Sequence, residues 1–110
     1  FNDSGDTWLP QPAEWAELAR DTQVDDPAST LSLYRSLLAE RRARGLGAGH
    51  LAWLDGYGDD VVAFSNGSLL VIANLGSAPI ELPSGEVLVA SGPLDAGRLP
   101  TDTTVWIAAA

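Results

Sequence analysis

Val61-Val-Ala-Phe-Ser-Asn66-Gly67-Ser-Leu69-Leu-Val-Ile-Ala-Asn74 is the stretch on which the fold turns. Two short apolar runs flank Asn66-Gly67, a dipeptide suited to the positive φ that both positions of a two-residue hairpin turn require. The run from Leu69 to Ala73 is apolar at every position, which predicts a strand covered on both faces. Outward from this hairpin, short apolar runs alternate with turn residues. They predict strands at Leu51–Leu54, Val61–Ser65, Ser68–Asn74, Ile80–Leu82, Glu86–Ala90 and Thr103–Ala108. Pro93 to Pro100 reads as a long turn before the last strand. The pattern is that of a small antiparallel β-sandwich.

Toward the N-terminus the periodicity becomes helical. Phe1–Thr7 is polar and reads as loop. A short helix is expected from Pro12, because proline suits a first helical position whose N–H has no partner in any case. Glu14 near its start and Arg20 near its end complement the helix dipole. A second helix is expected with Asp26 as N-cap and Pro27 as first helical residue. Leu31, Tyr34, Leu37 and Leu38 form its apolar stripe, a candidate cover for the Leu69–Ala73 strand. Arg41, Arg42 and Arg44 fill the last turn, and Gly45 closes it in a left-handed conformation. Arg41 continues the apolar face, so its stem is expected to pack there while its head reaches a carboxylate or carbonyl.

The chain has 110 residues, enough for one domain that buries about two thirds of its extended surface. Fifteen acidic and six basic residues give a net charge of −9. Every basic residue is arginine, and only Arg98 lies beyond residue 49. Nucleic-acid binders need a basic patch that displaces counterions, so this balance argues against nucleic acid and against anionic membrane surfaces. The chain has no cysteine and one histidine, His50, which removes disulfides, thiol chemistry and histidine-cluster metal sites. No apolar run approaches the ~18 residues of a membrane-spanning helix. The sequence starts at Phe1 and has no methionine, which suggests a piece of a longer protein.

Residues that carry chemistry are few. A retaining glycosidase needs two carboxyl groups about 5 Å apart across one bond. Asp25-Asp26 and the Asp55, Asp59, Asp60 group read instead as a helix start and a solvated turn. The segment Asp55-Gly-Tyr-Gly-Asp-Asp60 lacks the spacing and terminal glutamate of a calcium loop. His50, in a glycine-rich connector, reads as a surface residue. Gly45-Leu-Gly-Ala-Gly49 follows a helix where a phosphate loop would precede one, so it is rejected as such a loop. Trp53, Phe64 and Trp106 fall in strands and read as core. Trp8 and Tyr57 fall in loops, where core packing and stacking on a sugar ring are both open.

Several motifs occur in a familiar order. They are Thr7-Trp8-Leu9-Pro10-Gln11-Pro12-Ala13-Glu14-Trp15, Asp26-Pro27-Ala28-Ser29-Thr30-Leu31, Tyr34-Arg35-Ser36-Leu37-Leu38-Ala39-Glu40-Arg41-Arg42, Val61-Val-Ala-Phe64, and Leu70-Val-Ile-Ala-Asn74-Leu75. Together they resemble the C-terminal third of α-glucosidases of the alpha-amylase superfamily of glycoside hydrolases, oligo-1,6-glucosidase-like members among them. In that family a Trp-bearing loop leads into the last helix of a (β/α)8 barrel, which typically reads Tyr-Arg-x-Leu-Ile-x-Leu-Arg-Arg. A small antiparallel β domain follows. The resemblance spans nearly the whole chain. Glu40 departs from it, standing where the family helix carries leucine, and the Arg44–Gly49 connector is richer in glycine.

The resemblance implies an α+β segment. Residues 1–47 would be the loop and last helices of a TIM barrel, and residues 48–110 a C-terminal antiparallel β-sandwich domain. It implies that the catalytic nucleophile, the acid/base and a second aspartate lie upstream of Phe1, so no catalytic residue, metal or cofactor is assigned within this chain. Trp8, in a loop near the barrel's catalytic face, is the one substrate-contact candidate. The parent would hydrolyse terminal α-linked glucose with retention, and this segment would support the barrel structurally. Its partners would be the rest of that barrel and, through the parent, the α-glucoside; the expected location is cytoplasmic. Two other readings stay open: an independent β module that binds carbohydrate or a partner protein, and a truncated or designed chain without function of its own.

Overall fold

The computed structural model describes residues 7–110, so the loop expected over Phe1–Thr7 lies outside the described residues except for Thr7. The chain forms two compact units, Phe1–Ser36 and Leu37–Ala110. It is an α+β chain with mostly antiparallel sheet and few helices, and a barrel is not among the described elements.

In the first unit, the helix expected from Pro12 to Arg20 splits in two. A 3-10 turn covers Ala13–Ala16, and a single α-turn, α1, covers Arg20–Gln23. The long helix α2 spans Thr30–Ala43, three residues later in its start than Pro27 predicts. The cause is local. Asp26 Oδ1 accepts the Ala28 N–H at 2.9 Å, a side-chain turn that holds the backbone out of the helix. Ser29 then caps: its carbonyl accepts the Leu33 N–H at 3.0 Å and its Oγ accepts the Ser32 N–H at 3.2 Å. Ser29 is itself buried. None of the helix's residues is buried, and Tyr34 and Leu38 are exposed. The expected apolar stripe is therefore only partly covered, with Leu31 and Leu37 half-buried and Tyr34 and Leu38 open.

In the second unit, Gly45 (φ 62°) ends α2 in the left-handed conformation as expected, and a 3-10 turn at Leu46–Ala48 leads into the sheet. Strands β1 (Leu51–Trp53), β2 (Val61–Asn66), β3 (Leu69–Asn74), β4 (Ile80–Glu81), β5 (Gly85–Ala90), β6 (Arg98–Leu99) and β7 (Thr103–Ala109) follow. The main sheet has the order β1-β2-β3-β7-β5, antiparallel throughout, and β4 pairs with β6 in a small second sheet.

The two hairpin turns differ from expectation in an instructive way. Asn66 pairs with Leu69, so the β2–β3 loop is Gly67-Ser68, and only Gly67 (φ 61°) has positive φ. That is the signature of a turn with glycine at its first central position. Moving the turn by one residue keeps Asn66 in the strand. The stretch Pro93–Pro100, expected as turn, holds β6 and a tight hairpin. Asp95 and Arg98 exchange both backbone hydrogen bonds, at 3.0 and 2.9 Å, around Ala96 (φ 49°) and Gly97 (φ 82°). Two consecutive positive φ values make this the type I′ geometry that Asn66-Gly67 only suggested.

Strand alternation sends Ala63, Ile72, Val105 and Ile107 to one face of the main sheet, where Leu99 of β6 meets them; this is the buried core. Leu54, Val61, Leu70, Ile80 and Leu82 close around it. Four of the side chains, Ile72, Leu99, Val105 and Ile107, have no exposed surface. Each contributes about 1.5–3 kcal/mol by leaving water. The β4–β6 ribbon thus lids one face of the five-stranded sheet, a lopsided form of the expected sandwich. Asn74 is buried beside this core. Its Nδ2 donates to the carbonyls of Ala78 (2.9 Å) and Leu99 (3.0 Å), and its Oδ1 accepts the Gly76 N–H (3.0 Å).

Candidate functional site

The acidic residues come first, because glycoside chemistry would need a facing pair. Asp26 is occupied in the turn before α2, through Oδ1 and through its carbonyl, which accepts the Ser29 N–H. The Asp60 carbonyl accepts the Leu75 N–H at 2.8 Å, which ties the loop before β2 to the end of β3. Both are structural uses: Asp60 sits in a turn as expected, whereas Asp26 holds the turn before α2 and leaves the expected cap to Ser29. Among the described residues no group of three or more Asp, Glu or His side chains is placed to hold a metal ion. His50 is exposed, and its carbonyl accepts the Gly67 N–H at 3.3 Å.

The aromatic residues are distributed less simply than expected. Tyr57 packs against the core cluster, which resolves its two readings toward packing. Trp8 is 97% exposed, in the loop that precedes the first 3-10 turn. Trp53, read from the sequence as core, is 69% exposed. Phe64 and Trp106 are half-buried.

The register explains this. Trp53 pairs with Phe64, Phe64 with Val71, Val71 with Trp106 and Trp106 with Val89. These five side chains form one row across all five strands, on the face opposite Ile72 and Val105. Trp53 and Phe64 meet edge to face, with centroids 5.7 Å apart and planes at 79°. Leu51 and Val62, both exposed, extend the apolar surface on β1 and β2. A bulge between Val87 and Val89 restores Val89 to this row while Val87 pairs with Ile107.

Sequence reasoning identified these aromatics but put them in the core. Alternation within each strand was legible. Which face the second sheet would cover was not, because β6 was hidden in a presumed turn. Trp53 is the exposed end of the row, Phe64, Trp106 and Val89 are half-buried and Val71 is buried, and the surface they leave is apolar with few hydrogen-bonding groups. Such a surface fits association with another apolar surface, and offers no nucleophile, acid or base for covalent chemistry.

Comparison with known proteins adds one match. Residues 19–106 match a family described as Domain of unknown function (DUF3459). No curated protein matches the chain.

Proposed function

The chain belongs to the DUF3459 family, in alpha-amylase family enzymes a C-terminal domain, and on this premise we propose that it is the C-terminal part of a retaining α-glucosidase with a supporting role. The parent's reaction would be hydrolysis of terminal α-linked glucose through a covalent glucosyl intermediate, carried by two carboxyl groups of the barrel. The segment would dock on that barrel and contribute stability and alignment, not a reacting group. The observation that supports this reading is the Trp53–Phe64–Val71–Trp106–Val89 row, apolar throughout, exposed at Trp53 and half-buried at Phe64, Trp106 and Val89, on the sheet face opposite the core cluster.

The test has two parts. The purified chain is expected to release no product from an aryl α-glucoside. Added to an alpha-amylase family catalytic barrel deprived of its own C-terminal domain, it is expected to bind, and Trp53→Ser with Trp106→Ser is expected to weaken that binding at least about tenfold. Turnover by the chain alone, or binding indifferent to both substitutions, would overturn the proposal. A second reading rests on Trp8, whose near-complete exposure suits stacking on a sugar ring. Saturable quenching of Trp8 fluorescence by maltose or isomaltose, lost in Trp8→Ala, would favour a carbohydrate-binding module.

A further inference from the structure

The C-terminal end of α2 and the loop after it form a second feature, independent of the docking row. Arg41, Arg42, Gly45, Gly47 and Ala48 line a concavity of about 340 Å³. The Arg41 guanidinium lies over Gly47, with Nη2 3.5 Å from where a Cβ on that residue would sit. Gly45 takes the left-handed conformation that ends α2, and the concavity, widely open to solvent, is lined by the two arginines and by Gly45, Gly47 and Ala48.

The charges are arranged unevenly. Arg44 is paired with Glu40 (2.8 Å) and Arg98 with Asp95 (3.2 Å). Among the described residues Arg20, Arg35, Arg41 and Arg42 have no carboxylate within pairing distance, and of these Arg41 and Arg42 line one concavity together. Complementing the helix dipole explains arginine at this end. It does not explain two guanidinium groups that share one concave surface without a carboxylate partner among the described residues, with the nearby Glu40 committed to Arg44. Guanidinium is a planar fork of donors matched to carboxylate and phosphate oxygens.

We propose that Arg41 and Arg42, with the Gly45–Ala48 loop, form a binding site for a small oxyanion, a carboxylate or a phosphate. The anion lies in the concavity with one or both guanidinium forks donating to its oxygens, and the absence of a side chain at Gly47 lets the Arg41 head lie against the loop. The site stands whether or not the chain belongs to a glucosidase.

Titration of the 110-residue chain with inorganic phosphate, and separately with acetate, at ionic strength held constant with sodium chloride, tests this by nitrogen–proton correlation spectra. Saturable shifts are expected in the Arg41 and Arg42 Nε–H resonances and the Gly45–Ala48 amides, with half-saturation on the order of millimolar. Arg41→Gln with Arg42→Gln is expected to weaken binding at least about tenfold and leave the remaining spectrum in place, since both side chains are exposed. Tighter binding of acetate would point to a partner's side-chain carboxylate, and tighter binding of phosphate to a free or esterified phosphate. Absence of saturation with both probes, shifts shared equally by Arg20, Arg35 and Arg98, or binding that persists in the double variant would overturn the site.

Discussion

Asn74 concentrates more of the fold's specificity than its size suggests. Its amide bridges three backbone groups that β-pairing leaves unsatisfied, those of Gly76, Ala78 and Leu99, inside the protein. Replacing it with alanine strands those groups without partners, at about 1–3 kcal/mol each where water cannot reach. Asn74→Ala is therefore expected to lower stability by about 3 kcal/mol, read as a shift of the urea midpoint. Asn74→Asp is expected to be no better, because a carboxylate would face two carbonyl oxygens. The sequence marks Asn74 only as the polar end of an apolar run. Its three partners come from positions as far away as Leu99, and no local pattern connects them. Trp53 illustrates the same limit from the other side: its strand was legible, its exposure was not, since exposure depends on which face another sheet covers.

Elements follow local rules where those rules are strong. The helix end at Arg41–Gly45 and six of the seven strands lie where propensity and turn chemistry put them. The start of α2 and the position of β6 do not, because each depends on competing side-chain and backbone hydrogen bonds. Ser29→Ala removes the observed cap and is expected to cost about 1 kcal/mol, visible as loss of helical circular dichroism confined to the first turn's contribution. The Asp95–Arg98 hairpin offers the opposite experiment. Ala96 occupies a left-handed conformation at φ 49°, which costs a side-chain-bearing residue about 1–2 kcal/mol. Ala96→Asn would create the Asn-Gly pair this turn type prefers. It is expected to stabilise the β domain by up to about 1 kcal/mol in thermal melts; a lower melting temperature would contradict the turn assignment.

At the scale of the molecule, β3 is covered on both faces as its apolar run predicts, with Leu69 and Val71 buried on one and Ile72 on the other, while apolar surface stays exposed toward the β1 edge at Leu51, Trp53 and Val62, and the proposed docking role rests on that edge. The sheet order adds a further consequence, this one for biosynthesis. Thr103–Ala109 is the last strand in sequence, yet it lies between β3 and β5 and holds them together. A ribosome making this chain would release β1, β2 and β3 as a meander whose third strand lacks its other neighbour. β5 would emerge with no strand of the main sheet to join. Leu69 would wait for Ala108, and Ile72 for Val105, before either could leave water for good. Non-local closure of this kind is slow and leaves strand edges bare in the interval. Nascent chains arrested just before Thr103 are expected to be cut readily by protease within Leu69–Ala90, and chains extended past Ala109 and clear of the exit tunnel to resist. The sheet therefore closes only once Thr103–Ala109 has left the ribosome, because that strand alone joins β3 to β5.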